Sequence, residues 1–248
     1  MPKDSKNDWF KTWFNTPYYH LLYSNRDEKE AHHFIDRLSD QLQFPQGAHI
    51  LDVGCGKGRH ANYLHSLGFK VTGIDLAANS IAEAKAMETN GLSYYVQDMR
   101  IPFKDSIFDC ALNLFTSIGY FEKLSDNEKT IVSCCTALKP NGILVIDFLN
   151  AEKVINNLVP QETKQVGNIC FELQRIYEQG RIIKKITVID EHEKYHYEEQ
   201  VSALGLADFT TYFSVSGMEL INLFGNYNLD EFDPSKSERL IMIAQKKN

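Results

Sequence analysis

The stretch of this chain best equipped for chemistry is Leu51-Asp52-Val53-Gly54-Cys55-Gly56-Lys57-Gly58-Arg59, followed nineteen residues after Gly56 by Asp75. Glycines at 54, 56 and 58 let the backbone take positive φ and let a ligand come close to main-chain amides at a helix N-terminus. A carboxylate at the end of the next strand can accept hydrogen bonds from ribose hydroxyls. Loop and acid together point to an adenosine-containing ligand. A dinucleotide fingerprint, G-x-G-x-x-G, would need a third glycine where Arg59 stands, and a P-loop would need Ser or Thr after a Gly-Lys pair, which is absent. Both nucleotide-phosphate readings therefore fail on spacing.

A second motif, His192-Glu193-Lys194-Tyr195-His196, matches H-E-x-x-H, in which two histidines one helical turn apart bind zinc beside a general-base glutamate. The flanking residues alternate as strands do, so a solvated hairpin turn is expected there and no metal is assigned. The five cysteines (Cys55, Cys110, Cys134, Cys135, Cys170) show no C-x-x-C spacing and have apolar neighbours. They read as reduced, buried thiols of a cytoplasmic protein.

The elements that position the loop follow from periodicity. Strands are expected at His49–Val53, Lys70–Ile74, Leu92–Val96, Ile107–Asn113 and Gly142–Phe148, alternating with helices at Gly58–Leu67, Ala78–Glu88 and Ser125–Leu138, the last opened by a Ser125-x-x-Glu128 capping box. Repeated strand–helix units imply a doubly wound, mostly parallel sheet covered on both faces. Between about residues 165 and 212 the pattern becomes a meander of antiparallel strands around Glu178-Gln179-Gly180, with helix returning at Val215–Leu223 and a closing strand at Arg239–Gln245. Residues 8 to 41 read as two or three helices broken near Asn15-Thr16-Pro17, with i,i+4 aromatic pairs Trp9/Trp13 and Phe10/Phe14. The expected organisation is an N-terminal helical lid (1–45), an α/β domain (46–160 and 213–248) and a substrate-side β insertion (161–212).

With 248 residues, 43% hydrophobic and 24% charged, the chain has the composition of a folded globular protein. Its net charge of −7 opposes a polyanionic partner, so a nucleic-acid substrate is disfavoured. No run approaches the roughly 18 to 20 apolar residues of a bilayer helix. The N-terminus, Met1-Pro2-Lys3-Asp4-Ser5-Lys6, has no apolar core or cleavage site of a secretory signal.

The D-x-G-x-G-x-G loop with its acid resembles class I S-adenosylmethionine-dependent methyltransferases, and the resemblance covers most of the α/β portion. It implies that Gly54, Gly56 and Gly58 face the methionyl part of the donor, with Asp52 among the cofactor-binding residues, that Asp75 binds the ribose hydroxyls and that Leu76 packs against adenine. Gln97-Asp98-Met99 is similar to the adenine-edge element, with Asp98 accepting from the exocyclic amine. Phe108–Phe115 resembles the fourth-strand motif whose end, at Phe115, borders the methyl group. Leu138-Lys139-Pro140-Asn141-Gly142 resembles the L-K-P-G-G turn, with Asn141 the departure that the left-handed region tolerates. The family also implies sheet order 3-2-1-4-5-7-6 with an antiparallel last strand.

Asn113-Leu114-Phe115-Thr116 lacks the Asn/Asp-Pro-Pro-Tyr/Phe of nucleic-acid amine methylases. Phe115–Tyr120 and Tyr19–Tyr23 are instead similar to small-molecule N-methyltransferases, including those that dimethylate amino sugars. That resemblance places Tyr19 near the methyl donor or the accepting amine, Tyr120 beside it, and Arg26 at the methionyl carboxylate. The implied reaction is in-line methyl transfer to a small molecule at an amine, by a monomer or homodimer, with no residue assigned as catalytic acid or base. The rival readings are a non-catalytic module that keeps the fold and an enzyme with a protein or RNA acceptor. The basic stretch Arg181, Lys184 and Lys185 hints at the latter, but reads as a solvated strand face.

Overall fold

The computed structural model describes residues 12–24 and 28–247. Arg26, and the Trp9 and Phe10 members of the expected aromatic pairs, lie outside the described residues.

In chain order the helices are α1 (Pro17–Leu22), α2 (Glu28–Leu42), α3 (Arg59–Ser66), α4 (Ala78–Lys85), α5 (Ser125–Ala137), α6 (Ala151–Asn156) and α7 (Leu206–Val215). The strands are β1 (His49–Val53), β2 (Lys70–Asp75), β3 (Leu92–Val96), β4 (Phe108–Asn113), β5 (Leu138–Leu149), β6 (Gln161–Val166), β7 (Ile169–Glu178), β8 (Arg181–Asp190), β9 (Glu193–Ser202), β10 (Met218–Phe224) and β11 (Arg239–Lys246). One seven-stranded sheet has the order β10-β11-β5-β4-β1-β2-β3, and a second has β6-β7-β8-β9. Strands β3, β2, β1, β4 and β5 are parallel to one another, whereas β11 is antiparallel to both β5 and β10. This is the class I methyltransferase arrangement that the glycine loop implied.

Period-two alternation divides the central strands between two cores. Leu51, Leu144 and Met242 point to one face, where they meet Phe209 and Phe213 of α7; Ile50, Val145 and Ile243 point to the other, against Phe34 and Ile35 of α2 and Leu64 of α3. Both faces are dry, so the strands read as near-continuous apolar runs. The second sheet is half-wet. Phe171, Leu173, Ile186 and Val188 are buried against Trp13 and Leu22, while Glu172 and Gln174 between them face outward.

Three expectations need correction. No Ser125–Glu128 capping box forms, because α5 begins with Leu124 at the N-cap and no side-chain cap; Asp126 and Glu128 complement the helix dipole instead. Val215–Leu223 is not a helix. The helix is α7, which ends at Val215, and Gly217 at φ 73° turns the chain into β10. The strands of the second sheet accordingly stop at Ser202, and residues 206–212 are helical, their Phe209 buried in the main core. Asn141 does take the left-handed conformation, at φ 62°.

Candidate active site

Strand β1 delivers the glycine loop to the C-terminal edge of the sheet, where β2 delivers Asp75 beside it. Gly54, Gly56 and Gly58 all have positive φ, at 78°, 54° and 84°. Their surroundings differ. A Cβ at Gly56 would meet nothing within 4 Å, so the chain there opens to a ligand. At Gly54 it would lie 2.7 Å from Cβ of Ser117, because the segment after β4 packs directly on the loop. Gly54→Ala is therefore expected to cost roughly 1–2 kcal/mol for the left-handed backbone alone, with the Ser117 clash added. Thermal melts would register it as a lower midpoint.

Asp75 is tied into the loop that it serves. Its Oδ2 accepts from the Gly56 amide at 2.8 Å and its Oδ1 from the Ala77 amide at 2.7 Å, at the entrance to α4. Burial pushes its carboxyl upward, opposed by those amides. Each oxygen keeps a second lone pair, which is what a pair of ribose hydroxyls needs.

These residues form one wall of a cavity of about 390 Å³. Asp52, Gly54, Gly56, Asp75, Leu76, Asp98, Met99 and Phe115 all line it, and so do Tyr19 and Tyr120. Gly58 does not. A Cβ there would strike the Tyr94 ring, so this glycine serves the packing of α3 on β3 rather than facing the methionyl part. Asp98 lines the cavity with its carboxylate already forked by Arg100, through Nε at 3.0 Å and Nη2 at 2.6 Å, and Arg100 also reaches Asp126 at 2.9 Å. An adenine amine would therefore meet only the outer lone pairs of Asp98. The cavity wall also holds a strained segment: Phe115 and Thr116, neither a glycine, have φ of 57° and 61°.

The opposite wall is the roof. Helix α1 and the residues before it lie on the second sheet: Tyr18 donates to Asp190 at 2.7 Å and Lys164 to the Leu22 carbonyl at 2.9 Å. Phe14 meets Tyr19 edge-on at 4.9 Å and Tyr120 at 5.3 Å. At the centre of the docking is Glu199, which accepts from Trp13 Nε1 at 2.7 Å, from the Tyr23 hydroxyl at 2.7 Å and from Lys184 Nζ at 2.8 Å. Lys184 also donates to Tyr23. Burial pushes the Glu199 carboxyl up, but the Lys184 ammonium and the hydrogen bonds from Tyr23 and Trp13 outweigh it and hold the group below the ordinary glutamate range.

Sequence reasoning missed this cluster. It read Lys184 as part of a solvated basic face, yet only Lys185 of that stretch points to water; Arg181 donates to the Phe121 carbonyl at 2.9 Å. The one available signal was Glu199 and Lys184 sitting opposite each other in a meander register, as β8 and β9 prove to do. The H-E-x-x-H stretch falls on the β8–β9 turn and the exposed start of β9, where the strand rise sets its histidines about 13 Å apart. The helical geometry of a zinc site is not present there.

Glu199 predicts an acid response. A carboxyl whose folded pKa is depressed contributes stability that is complete above its unfolded pKa and is lost as pH falls through the folded value. Fluorescence of Trp13 in a Trp9→Phe background should therefore change below the ordinary glutamate range, and Glu199→Gln should remove that transition. An unchanged acid transition in Glu199→Gln would assign it to another group.

Residues 51–146 match the methyltransferase domain family, and the match spans the loop, Asp75, Asp98 and the segment after β4 that together form one wall of the cavity. The chain carries a methyltransferase domain on the class I fold, the equipment of an S-adenosylmethionine-dependent methyltransferase. The methyltransferase is 27% identical to YqeM of Bacillus subtilis (strain 168), which carries a provisional methyltransferase name, over 89% of this chain and 94% of that one. It is 28% identical to a ubiquinone biosynthesis O-methyltransferase of Coxiella burnetii (strain Dugway 5J108-111) over 66% of this chain and 78% of that one. Its fold is that of CalS10, an amino pentose methyltransferase from Micromonospora echinaspora solved with bound S-adenosylmethionine, with a TM-score of 0.69 at 19% identity over 94% of this chain and 98% of that one. Among the described residues no helix is long and apolar enough to cross a membrane.

Proposed function

We propose that the methyltransferase acts on the amino group of a small molecule bound beneath the aromatic roof. The observation that carries this is the roof itself: Phe14, Tyr19 and Tyr120 face the donor loop across a single cavity of about 390 Å³, a volume suited to small ligands. Aromatic faces stabilise both a sulfonium and an alkylated ammonium through cation–π attraction.

S-adenosylmethionine, when bound, supplies a methyl group already activated on a sulfonium. The residues of the chain align and enclose it. In this reading Asp75 holds the ribose hydroxyls while staying bonded to the loop, Gly56 leaves its backbone open to the methionyl part with Gly54 letting Ser117 pack behind the loop, and Asp52 faces its ammonium. Leu76 and Met99 flank adenine with Asp98 at its edge, and Phe115 borders the methyl group. Tyr19 and Tyr120 orient the accepting amine in line with the methyl and exclude water, which is the larger part of what such a displacement requires of a protein. The neutral form of an amine attacks with its own lone pair and its methylated ammonium product gives the proton to water, whereas a hydroxyl must lose its proton to a base as it attacks, and the buried carboxylate at the roof, Glu199, is committed to Lys184, Tyr23 and Trp13. That commitment favours nitrogen over oxygen. The relative that methylates oxygen in ubiquinone biosynthesis makes a hydroxyl acceptor the competing reading.

The test is transfer of labelled methyl from the donor to parallel panels of small amines, including amino sugars, and of phenols and sugar hydroxyls. Label on amines, lost in Tyr19→Phe or Tyr120→Phe with donor affinity retained, is the expected result. Label on hydroxyls alone, or turnover unchanged in both variants, would overturn the assignment.

A further inference from the structure

Among the described residues, the cations that stand around the cavity are already engaged. Lys184 turns inward from β8 and gives its ammonium protons to Glu199 at 2.8 Å and to Tyr23. Arg181, at the start of the same strand, donates to the Phe121 carbonyl at 2.9 Å and to the Glu122 carbonyl, and Arg239 is paired with Asp147. On the opposite wall Arg100 bridges Asp98 and Asp126, Lys57 pairs with Glu83 at 2.7 Å, and Arg59 lies over the Phe115 ring at 4.8 Å. Two histidines of the lining, His20 and His60, are pushed down by burial and stay uncharged at neutral pH.

Carboxylates share that lining. Asp75, Asp98 and Glu199 all border the cavity, and the chain as a whole carries a net charge of −7. A phosphate brought under the roof would leave water for aromatic rings and carboxylates, with the inward-turned Lys184 already held by Glu199. A charge taken out of water without a partner is strongly disfavoured. Room is limited too. The cavity of about 390 Å³ lies near the lower end of what one drug-sized ligand occupies, roughly 300–1,000 Å³, and it has to hold donor and acceptor together. A small neutral or cationic amine meets neither obstacle, because aromatic faces and carboxylates are the surroundings that suit it.

We infer that the acceptor is a small amine that carries no phosphate, taken in its free form and not as a phosphate ester or nucleotide conjugate, and that Glu199 sets this preference by neutralising Lys184. The inference rests on the amine reading above and narrows it by charge. Glu199 acts through Lys184. Its two oxygens are filled by Trp13, Tyr23 and Lys184, so it fixes the charge of the roof without binding the acceptor itself.

Transfer of labelled methyl from S-adenosylmethionine to matched pairs of acceptors tests this: glucosamine against glucosamine 6-phosphate, and the fastest amine of the panel above against its own phosphate ester. The unphosphorylated member should have the higher kcat/KM by about tenfold or more. In Glu199→Gln the ratio should shift toward the phosphorylated member by about tenfold, because Lys184 loses the anion that neutralises it. Glu199→Gln combined with Lys184→Met, which removes both charges, should bring the ratio back to the wild-type value. The readout is a ratio within one preparation, so a partly folded variant does not mimic it. A phosphorylated member preferred by the wild type, or a ratio that Glu199→Gln leaves unchanged, would overturn the inference. Label on hydroxyl acceptors alone would instead remove the amine reading on which it rests.

Discussion

Asp75→Ala is expected to weaken binding of S-adenosylmethionine and S-adenosylhomocysteine by about a hundredfold or more. Hydrogen bonds to a charged group contribute roughly 1.5–3 kcal/mol each, and two ribose hydroxyls lose their acceptor together. A second loss compounds the first. The same carboxylate holds the Gly56 amide at 2.8 Å and the Ala77 amide at 2.7 Å, so without it the loop loses its tie to the end of β2. Asp75→Asn should fall between wild type and alanine, since an amide oxygen still accepts but carries no charge and the other position becomes a donor. Isothermal titration of both ligands checks this. Affinity within threefold of wild type in Asp75→Ala would move the ribose to a different residue.

Asp147→Ala is expected to be strongly destabilising, at about 3–5 kcal/mol, the usual cost of leaving one member of a buried ion pair without its partner. Asp147 is fully buried on β5, and Arg239 on β11 donates to its Oδ1 at 2.6 Å, with only 16% of the arginine side chain exposed. For a chain of this size that is a fall in thermal midpoint of about 10 °C. The site should suffer beyond the loss of stability. Asp147 Oδ2 accepts from the Phe115 amide at 2.8 Å, the Asp147 carbonyl accepts from the Thr116 amide at 2.9 Å, and Arg239 donates to Thr116 Oγ1 at 2.9 Å. Those bonds hold two side-chain-bearing residues in the left-handed region, conformations that persist only when the surroundings impose them. Replacing the pair together, as Asp147→Leu with Arg239→Met, should recover much of the stability, because no buried charge is stranded. It should not recover donor affinity. Melting curves and donor titrations on the single and double variants separate the two effects, and a double variant with wild-type donor binding would show that the ion pair holds nothing but the sheet.

The part of the cavity wall proposed to hold the donor was legible because it is local. Asp52 to Arg59 is one strand end, one loop and one helix start, and each glycine announces a backbone need that can be stated without knowing the rest of the chain. Asp75, Leu76, Asp98 and Met99 likewise occupy the ends of strands whose existence follows from apolar periodicity. Gly58 is the instructive exception. Its positive φ was legible, but the Tyr94 ring that forbids a side chain there arrives from β3 and turns the glycine away from the cavity. The short helix α7 was misplaced by about ten residues because Met218, Leu220 and Leu223 carry apolar character past the glycine that ends it.

By itself, then, the amino-acid sequence determined the alternating strand–helix body, the glycine loop with its acid, and the hairpin grammar of the second sheet, all of which arise from interactions between residues close along the chain. Only the tertiary structure decided that Trp13 and Glu199 meet across 186 residues, that Lys184 turns inward to them, and that Arg239 and Asp147 hold Phe115 and Thr116. Periodicity records which face of an element is apolar, whereas a buried charge is settled by the partner that faces it. That partner is chosen by how the sheets stack, and no spacing along the chain encodes it.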